Sequence, residues 1–225
     1  NRGNTSGPAY GAAASQLLEF DRNGKFMREI GKNLYAWSFG HTVRIDNDQN
    51  IWVTDKGSDM VVRFNPKGDV TMVFGRKQEA SDKETGPLEH PNPPLPAEEG
   101  KFRQVTDMAW DPAGNVYIID DRYRVAKIDG KTDKVVEVLA IPGYDCERTV
   151  PDQSEVLFRN TANNIAYMAL GQGKLYVTSE QNTVSLIDPA TLTIKATLTI
   201  PGAVELDAIT TDPALNQVYI TDEGE

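Results

Sequence analysis

The feature that most constrains the fold of this chain is a short hydrophobic pattern that recurs four times. The four copies are Asn50-IWVTD, Asn115-VYIID, Lys174-LYVTS and Gln217-VYITD. Each copy combines β-branched and aromatic residues and lies between turn-forming residues, which is typical of a β-strand. Because a small β unit cannot bury both of its faces alone, the repetition indicates a stack of similar units packed on one another.

The best-formed unit is residues 42–75, which predict four strands separated by three tight polar turns. The predicted strands are Thr42–Asp46, Ile51–Thr54, Met60–Asn65 and Val70–Phe74. Turns this short join neighbouring antiparallel strands, so the unit is a four-stranded meander, which we call a blade. The same pattern returns at 105–140 and 163–200, which gives three whole blades.

Two half-blades complete the pattern. Residues 14–31 predict the strands Gln16–Phe20 and Phe26–Ile30 around an Asn-Gly turn, and residues 206–225 match the first two strands of a blade. We expect the two halves to combine into one composite blade that closes a ring and removes exposed sheet edges. The predicted fold is therefore all-β, a β-propeller with four blade equivalents, or with six or more blades if the chain is a fragment.

Outside the blades, the sequence predicts a flexible arm at 1–13 and two irregular inserts, at 76–104 and 141–162, in a single domain that spans 14–225. The first insert offers an extended, partly apolar strip, which we interpret either as a partner-binding segment or as an exposed spacer. The strip consists of Pro87, Leu88, His90, Pro93, Pro94 and Leu95.

The composition limits the partners of the chain. Its 225 residues carry a formal net charge of -10, and an acidic surface repels nucleic-acid phosphates, so we expect no nucleic-acid partner. No apolar run approaches the roughly 18–20 residues of a membrane span. The single cysteine, Cys146, cannot form an internal disulfide. The small-residue tail that begins at Asn1 favours a secreted or periplasmic location.

These repeats resemble the NHL-repeat family of β-propellers. The resemblance covers most of 14–140 and rests on one repeated pattern. The pattern is a hydrophobic strand that ends in Asp, a Gly/Asn turn, an aromatic strand that ends in Thr-Asp, and a strand that ends in Phe-Asn or Ile-Asp. The later copies, with Leu-Tyr-Val-Thr and Val-Ser-Leu-Ile-Asp-Pro-Ala-Thr, are similar to YVTN-type bacterial surface propellers. The resemblance implies a propeller fold, which hosts many different activities.

One stretch is also similar to the peptidyl-hydroxyglycine amidating lyase branch: Leu18 through Phe74, with Phe39-Gly40-His41-Thr42-Val43 and Gln104-Val105-Thr106-Asp107. That resemblance implies zinc held in a central channel by three histidines that start the innermost strands, with an assisting calcium ion. It places His41 at one such position and Tyr123 at the catalytic tyrosine. The corresponding starts of later blades are Thr106, Asn163 and Asp207, so the chain departs from the family at the other two histidines.

The propeller prediction brings several polar residues to one mouth of the channel, because innermost strands start there. They are His41, Thr42, Thr106, Asp107, Asn163, Asn164 and Asp207. Within this set, His41, Asp107 and Asp207 are the candidate ligands of a calcium or zinc ion, and oxygen-rich ligands favour calcium or magnesium over zinc. The alternative is that these groups bond to backbone and to channel water.

Two recurring positions predict structural roles. Asp55, Asp120 and Asp222 follow the second strands, where an Asp side chain accepts backbone N–H bonds in a turn or, alternatively, binds an ion. The aromatic residues of one second-strand register are predicted to pack between blades. These residues are Trp52, Tyr117, Tyr176 and Tyr219.

Two functions follow as hypotheses. The first is a non-enzymatic, exported propeller that binds a protein partner or assembles with itself, which fits the incomplete catalytic set and the two inserts. The second is a metal-dependent lyase or hydrolase that acts at the channel mouth through His41 and Tyr123.

Overall fold

The computed structural model describes residues 17–77, 102, 105–120, 124–141, 165–179 and 181–223. Within these ranges the regular structure is sixteen strands without a helix, so the predicted all-β class is confirmed. It follows that no described helix could cross a bilayer. The described residues fall into two compact units, the first ending at 105 and the second beginning at 106.

The first unit contains an N-terminal hairpin and a four-stranded antiparallel sheet, blade 1. The hairpin is β1 (Leu17–Phe20) and β2 (Phe26–Ile30). Blade 1 is β3 (Gly40–Ile45), β4 (Ile51–Asp55), β5 (Met60–Phe64) and β6 (Val70–Gly75), paired in sequence order. These bounds lie within two residues of the strands predicted for the same stretch.

The core of the first unit joins the N-terminal hairpin to one face of blade 1. Leu17 and Ile30 of the hairpin pack with Val62 and Phe64, which are fully buried. The Arg28 guanidinium reinforces the contact by donating hydrogen bonds to the carbonyl oxygens of the turn between β5 and β6. Only one face of the hairpin is covered in this way.

The second unit contains two more four-stranded sheets and a C-terminal hairpin. Blade 2 is β7 (Asp107–Trp110), β8 (Val116–Asp120), β9 (Arg124–Ile128) and β10 (Val135–Ala140). Blade 3 is β11 (Ile165–Gly171), β12 (Lys174–Ser179), β13 (Thr183–Asp188) and β14 (Thr193–Thr199). The hairpin is β15 (Leu206–Asp212) and β16 (Gln217–Asp222).

Consecutive sheets of the second unit pack face to face, with β7, β11 and β15 as neighbours. Blades 2 and 3 share a core in which Tyr117 and Val125 meet Met168 and Ile187. The Tyr117 hydroxyl also donates to the Pro189 carbonyl oxygen at 2.8 Å. Blade 3 packs in turn on the C-terminal hairpin, so the second-strand aromatic of a blade lies toward the blade that follows it.

The two hairpins that were predicted to form a composite blade belong to different units, so their pairing remains a prediction. The N-terminal and C-terminal hairpins are each two-stranded sheets of their own. Of the aromatic residues predicted to pack between blades, Trp52, Tyr117 and Tyr176 are buried, whereas the side chain of Tyr219 is largely exposed.

A repeated turn explains why the first two strands of a blade pair so regularly. Asp46 accepts hydrogen bonds from the backbone and side chain of Asn50 and from the Trp52 ring nitrogen. Asp111 does the same with Asn115 and with the Tyr117 hydroxyl. Burial alone raises the pKa of Asp46 and Asp111, but these hydrogen bonds outweigh it and leave both pKa values below the usual 3.8.

The backbone conformation and close packing of Gly75, at the end of blade 1, can be tested by substitution. Its φ is +80°, and a Cβ atom there would overlap the Asp59 carbonyl oxygen. Gly75→Ala should therefore lower the free energy of unfolding by about 1–3 kcal/mol, as measured by urea denaturation. Gly24→Ala is the matched control, because Gly24 has nearly the same φ but open space around the added methyl group. Equal losses in the two variants would contradict the steric explanation.

Candidate functional site

Asp107, one of the predicted metal ligands, is fully buried at the start of β7. One carboxylate oxygen accepts the Met108 N–H at 2.8 Å, and the other accepts the Met168 N–H at 2.9 Å. The second bond joins β7 of blade 2 to β11 of blade 3. Both oxygens of Asp107 therefore bond to backbone, and a structural role accounts for this carboxylate.

Asp207, a second predicted ligand, belongs to a polar group on the same end of the second unit. Its side chain bonds to the Tyr167 hydroxyl and to Glu223, and we call these three residues the Tyr167 cluster. Burial, followed by the negative charges of Asp207 and Asp107, raises the pKa of Tyr167 to about 12. Tyr167 therefore stays protonated at neutral pH and can donate a hydrogen bond or a proton.

Glu223 gives the Tyr167 cluster a pH dependence of stability that can be measured. The charge of Asp207, followed by their shared hydrogen bond, raises the pKa of Glu223 above its usual 4.5. The folded protein thus holds the Glu223 proton more tightly than the unfolded chain does. The bound proton contributes its full stabilisation below pH 4.5, and this contribution is lost as the pH rises through the raised pKa.

Glu223→Gln removes that charge, so we expect the loss of stability above pH 4.5 to become shallower in this variant. Urea midpoints measured at several pH values between acid and neutral would show it. Asp48→Asn, which removes one exposed carboxylate from the turn after β3, controls for net charge. An unaltered pH profile in Glu223→Gln would contradict the coupling to Asp207.

His41, the third predicted ligand, lies half-buried in β3 of the first unit. Its Nδ1 is 3.4 Å from Thr42 Oγ1, and its ring lies edge to face with Phe39 at 6.1 Å between centroids. By strand register, the equivalents of His41 are Thr106, Ala166 and Asp207. The third blade therefore offers an alanine at this position, where the sequence indicated Asn163.

The described residues contain no group of three or more His, Cys, Asp or Glu side chains placed to hold a metal ion. A calcium or zinc ion bound by His41, Asp107 and Asp207 therefore remains a prediction. Other candidate residues lie outside the described ranges. They are Tyr123, Asn163, Asn164, Cys146 and the strip Pro87, Leu88, His90, Pro93, Pro94 and Leu95.

The aspartates that follow the second strands have the predicted structural role where the structure describes them. Asp55 accepts the N–H groups of Ser38, Phe39 and Ser58, so it holds the loop that leads into β3. Asp222 accepts the N–H groups of Val204 and Glu205 in the same way. For these two residues the prediction of backbone bonding is confirmed. The side chain of Asp120 lies outside the description.

Apolar side chains form an exposed surface on the N-terminal hairpin. Phe20 and Phe26 lie edge to face with 5.8 Å between ring centroids, and Leu18 and Met27 are exposed beside them. Leu17 and Ile30, on the other face, are buried against blade 1. The hairpin is therefore apolar on both faces but covered on one.

Comparison with known proteins identifies the fold. No family model and no curated protein matches the chain. A crystal structure of a catalytically inactive virginiamycin B lyase from Staphylococcus aureus with quinupristin matches at a TM-score of 0.59 and 14% identity, covering 93% of this chain and 57% of that one. A streptogramin B lyase structure matches at a TM-score of 0.58 and 13% identity, covering 93% of this chain and 62% of that one.

These neighbours are β-propellers, so the fold class predicted from the sequence is confirmed. The chain spans less than two thirds of the length of either structure. At this identity the likeness concerns the fold, and a propeller fold does not define an activity.

Proposed function

We propose that this chain is a non-enzymatic, NHL-like propeller module that binds a protein partner or assembles with itself. The observation that supports the proposal is the exposed apolar surface of the N-terminal hairpin, formed by Leu18, Phe20, Phe26 and Met27. Clustered apolar side chains on a soluble surface mark interaction sites, because burying them removes apolar area from water.

The bonding of the aspartates supports the same proposal. Asp55, Asp107 and Asp222 all accept backbone N–H groups, which is how a rigid scaffold holds its loops. Long inserts on such a scaffold are usual places for recognition, so the strip from Pro87 to Leu95 is included as a second contact segment. The proposal also keeps the secreted or periplasmic location.

Light scattering after size exclusion tests the proposal, together with mass spectrometry of the purified fraction. We expect a mass above the 24.8 kDa of one chain, either from self-association or from a stoichiometric second protein. The double variant Phe20→Ser, Phe26→Ser should lose the complex. Val136→Ser, at a similarly exposed apolar residue on β10, should keep it. A monomer at every concentration with no accompanying protein would overturn the proposal.

A second candidate is a metal-dependent lyase or hydrolase. Two observations favour it: the two matching structures named above are streptogramin B lyases, and the Tyr167 cluster sets a protonated phenol beside carboxylates. In this reading Tyr167 donates a proton, while His41 and Tyr123 retain the roles that the resemblance to amidating lyases implies.

Chromatography of quinupristin incubated with the purified protein tests the second candidate, with and without added zinc or calcium. A lyase of this kind should convert the compound, and Tyr167→Phe and His41→Ala should each slow conversion at least about tenfold. Unchanged quinupristin, together with purified protein that contains neither metal, would remove this candidate.

A further inference from the structure

The turn between β1 and β2 contains Asn23-Gly24, the only Asn-Gly pair in the sequence. Both residues are exposed. Gly24 has a φ of +79°, and beyond its two chain neighbours no atom lies within 4 Å of the place that a Cβ would take. The Asn23 side chain has no hydrogen-bond partner among the residues that the structure describes. Its amide is therefore free to move beside an unhindered glycine.

This arrangement favours a reaction within the chain. The Gly24 nitrogen attacks Asn23 Cγ and gives up its proton to water or a buffer base. The bond from Cγ to the side-chain nitrogen then breaks, and that nitrogen leaves as ammonia with a proton from solvent. Water opens the resulting succinimide ring at either carbonyl, which yields aspartate or isoaspartate. Glycine is the most favourable following residue, because it has no Cβ to hinder the attack and the greatest backbone freedom.

The asparagines of two equivalent turns are held by bonds that Asn23 lacks. Asn50 donates its side-chain amide to Asp46 at 2.9 Å, and Asn115 donates to Asp111 at 2.8 Å. Each of these asparagines is also followed by a β-branched residue, whose side chain hinders attack by its own backbone nitrogen. The repeated turn therefore protects its asparagine in blades 1 and 2.

Two further turns are protected in other ways. Asn65 donates its side-chain amide to Asp69 at 3.0 Å and precedes Pro66, whose nitrogen carries no proton to lose. Asp129 precedes a glycine, but one of its carboxylate oxygens accepts three hydrogen bonds from the turn. A Cβ on that glycine, Gly130, would overlap the carbonyl oxygen of another turn. Neither side chain is as free as that of Asn23.

One hydrogen bond opposes the reaction. The Gly24 N–H donates to the Asp21 carbonyl oxygen at 3.0 Å, and this bond must open before the nitrogen can attack. Turns at the surface open locally at little cost, because water replaces the lost partner. The Asp21 side chain continues to accept the N–H groups of Asn23 and Lys25 while it does so.

We propose that Asn23 is a site of spontaneous covalent modification, at which the folded chain converts asparagine to aspartate and isoaspartate. Isoaspartate inserts a methylene group into the main chain between Asn23 and Gly24. The hydrogen bonds from the Gly24 and Lys25 N–H groups to Asp21 span this point, so the added atom disrupts them. The modification therefore alters the turn that sets the register of the N-terminal hairpin.

Timed incubation of the folded protein at mildly alkaline pH tests the proposal. Samples are cleaved after glutamate and analysed by mass spectrometry, because the fragment 20–29 then contains Asn23 as its single asparagine. We expect aspartate and isoaspartate forms of this fragment to accumulate with release of ammonia. Conversion at Asn23 should be at least about tenfold faster than at Asn50 or Asn115. Equal rates at the three asparagines, or conversion of Asn23 only in urea, would overturn the proposal.

Two variants separate this reaction from general ageing of the protein. Gly24→Ala places a methyl group in open space but hinders the attacking nitrogen, so conversion at Asn23 should fall at least about tenfold. Asn23→Gln requires a larger ring and should remove conversion from the fragment. Both variants should keep the circular dichroism of the parent. An unchanged rate of conversion in Gly24→Ala would show that the glycine nitrogen is not the attacking group.

Discussion

Phe64→Ala is expected to lower the free energy of unfolding by about 3–5 kcal/mol, because it removes a fully buried aromatic ring from a packed core. The ring of Phe64 stacks on Trp37 with 5.9 Å between centroids and packs against Leu17 and Ile30 of the N-terminal hairpin. The substitution therefore removes contacts between the hairpin and blade 1 and also leaves a cavity. Urea denaturation followed by tryptophan fluorescence measures it.

The matched control is Phe20→Ala, at the same register position of the N-terminal hairpin. Phe20 is largely exposed, so in the dilute monomer its truncation should cost about 1 kcal/mol or less. Similar losses for Phe20→Ala and Phe64→Ala in dilute protein would show that the two positions are equally buried, which contradicts the half-blade interpretation.

Asp107→Asn is expected to cost about 2–3 kcal/mol of folding free energy, because a buried carboxylate that accepts two backbone N–H groups becomes an amide with one acceptor oxygen. The amide nitrogen would then face either the Met108 or the Met168 N–H, which leaves that donor unsatisfied. The Met168 bond joins two blades, so we also expect faster amide hydrogen exchange at the start of β11.

Asp129→Asn serves as the control for Asp107→Asn. Asp129 also accepts two backbone N–H groups, from Lys131 and Thr132, but it does so in an exposed turn where water can replace them. A much smaller change is expected there. If Asp107→Asn were as stable as Asp129→Asn, the assignment of Asp107 to a structural role would be wrong, and ligand binding would again be the better interpretation.

The strands could be predicted from the sequence because their signals are local. Turns such as Asp21–Lys25 and Asp46–Asn50 hold their own backbone through one aspartate side chain, so four or five residues determine each turn. The second strand of blade 1 was accordingly predicted to within one residue of the observed Ile51–Asp55.

The site could not be predicted with the same success, because its contacts are distant in sequence. The partner of Asp107 is 61 residues away, and no local pattern distinguishes a carboxylate that accepts that N–H from one that binds an ion. Tyr167 was missed for the same reason. The sequence around Tyr167 predicts a strand, but the carboxylates near its hydroxyl group belong to other parts of the chain.

The exposure of Tyr219 could not be predicted from its local sequence either. Its sequence context is nearly that of Tyr117, but the residues that bury Tyr117 belong to another blade and are distant in sequence. Repeat patterns therefore predict the strands of a blade, whereas the burial of their side chains depends on the neighbouring blade.

The order of the strands has a consequence for how the chain folds. Every pairing within the described sheets joins strands that are consecutive in sequence, and most are separated by turns of a few residues. Contacts between sequence neighbours need little loop closure, so each blade can begin to form without the rest of the chain. We expect blade 1 to form as soon as it leaves the ribosome, with blades 2 and 3 consolidating later as their shared core is completed.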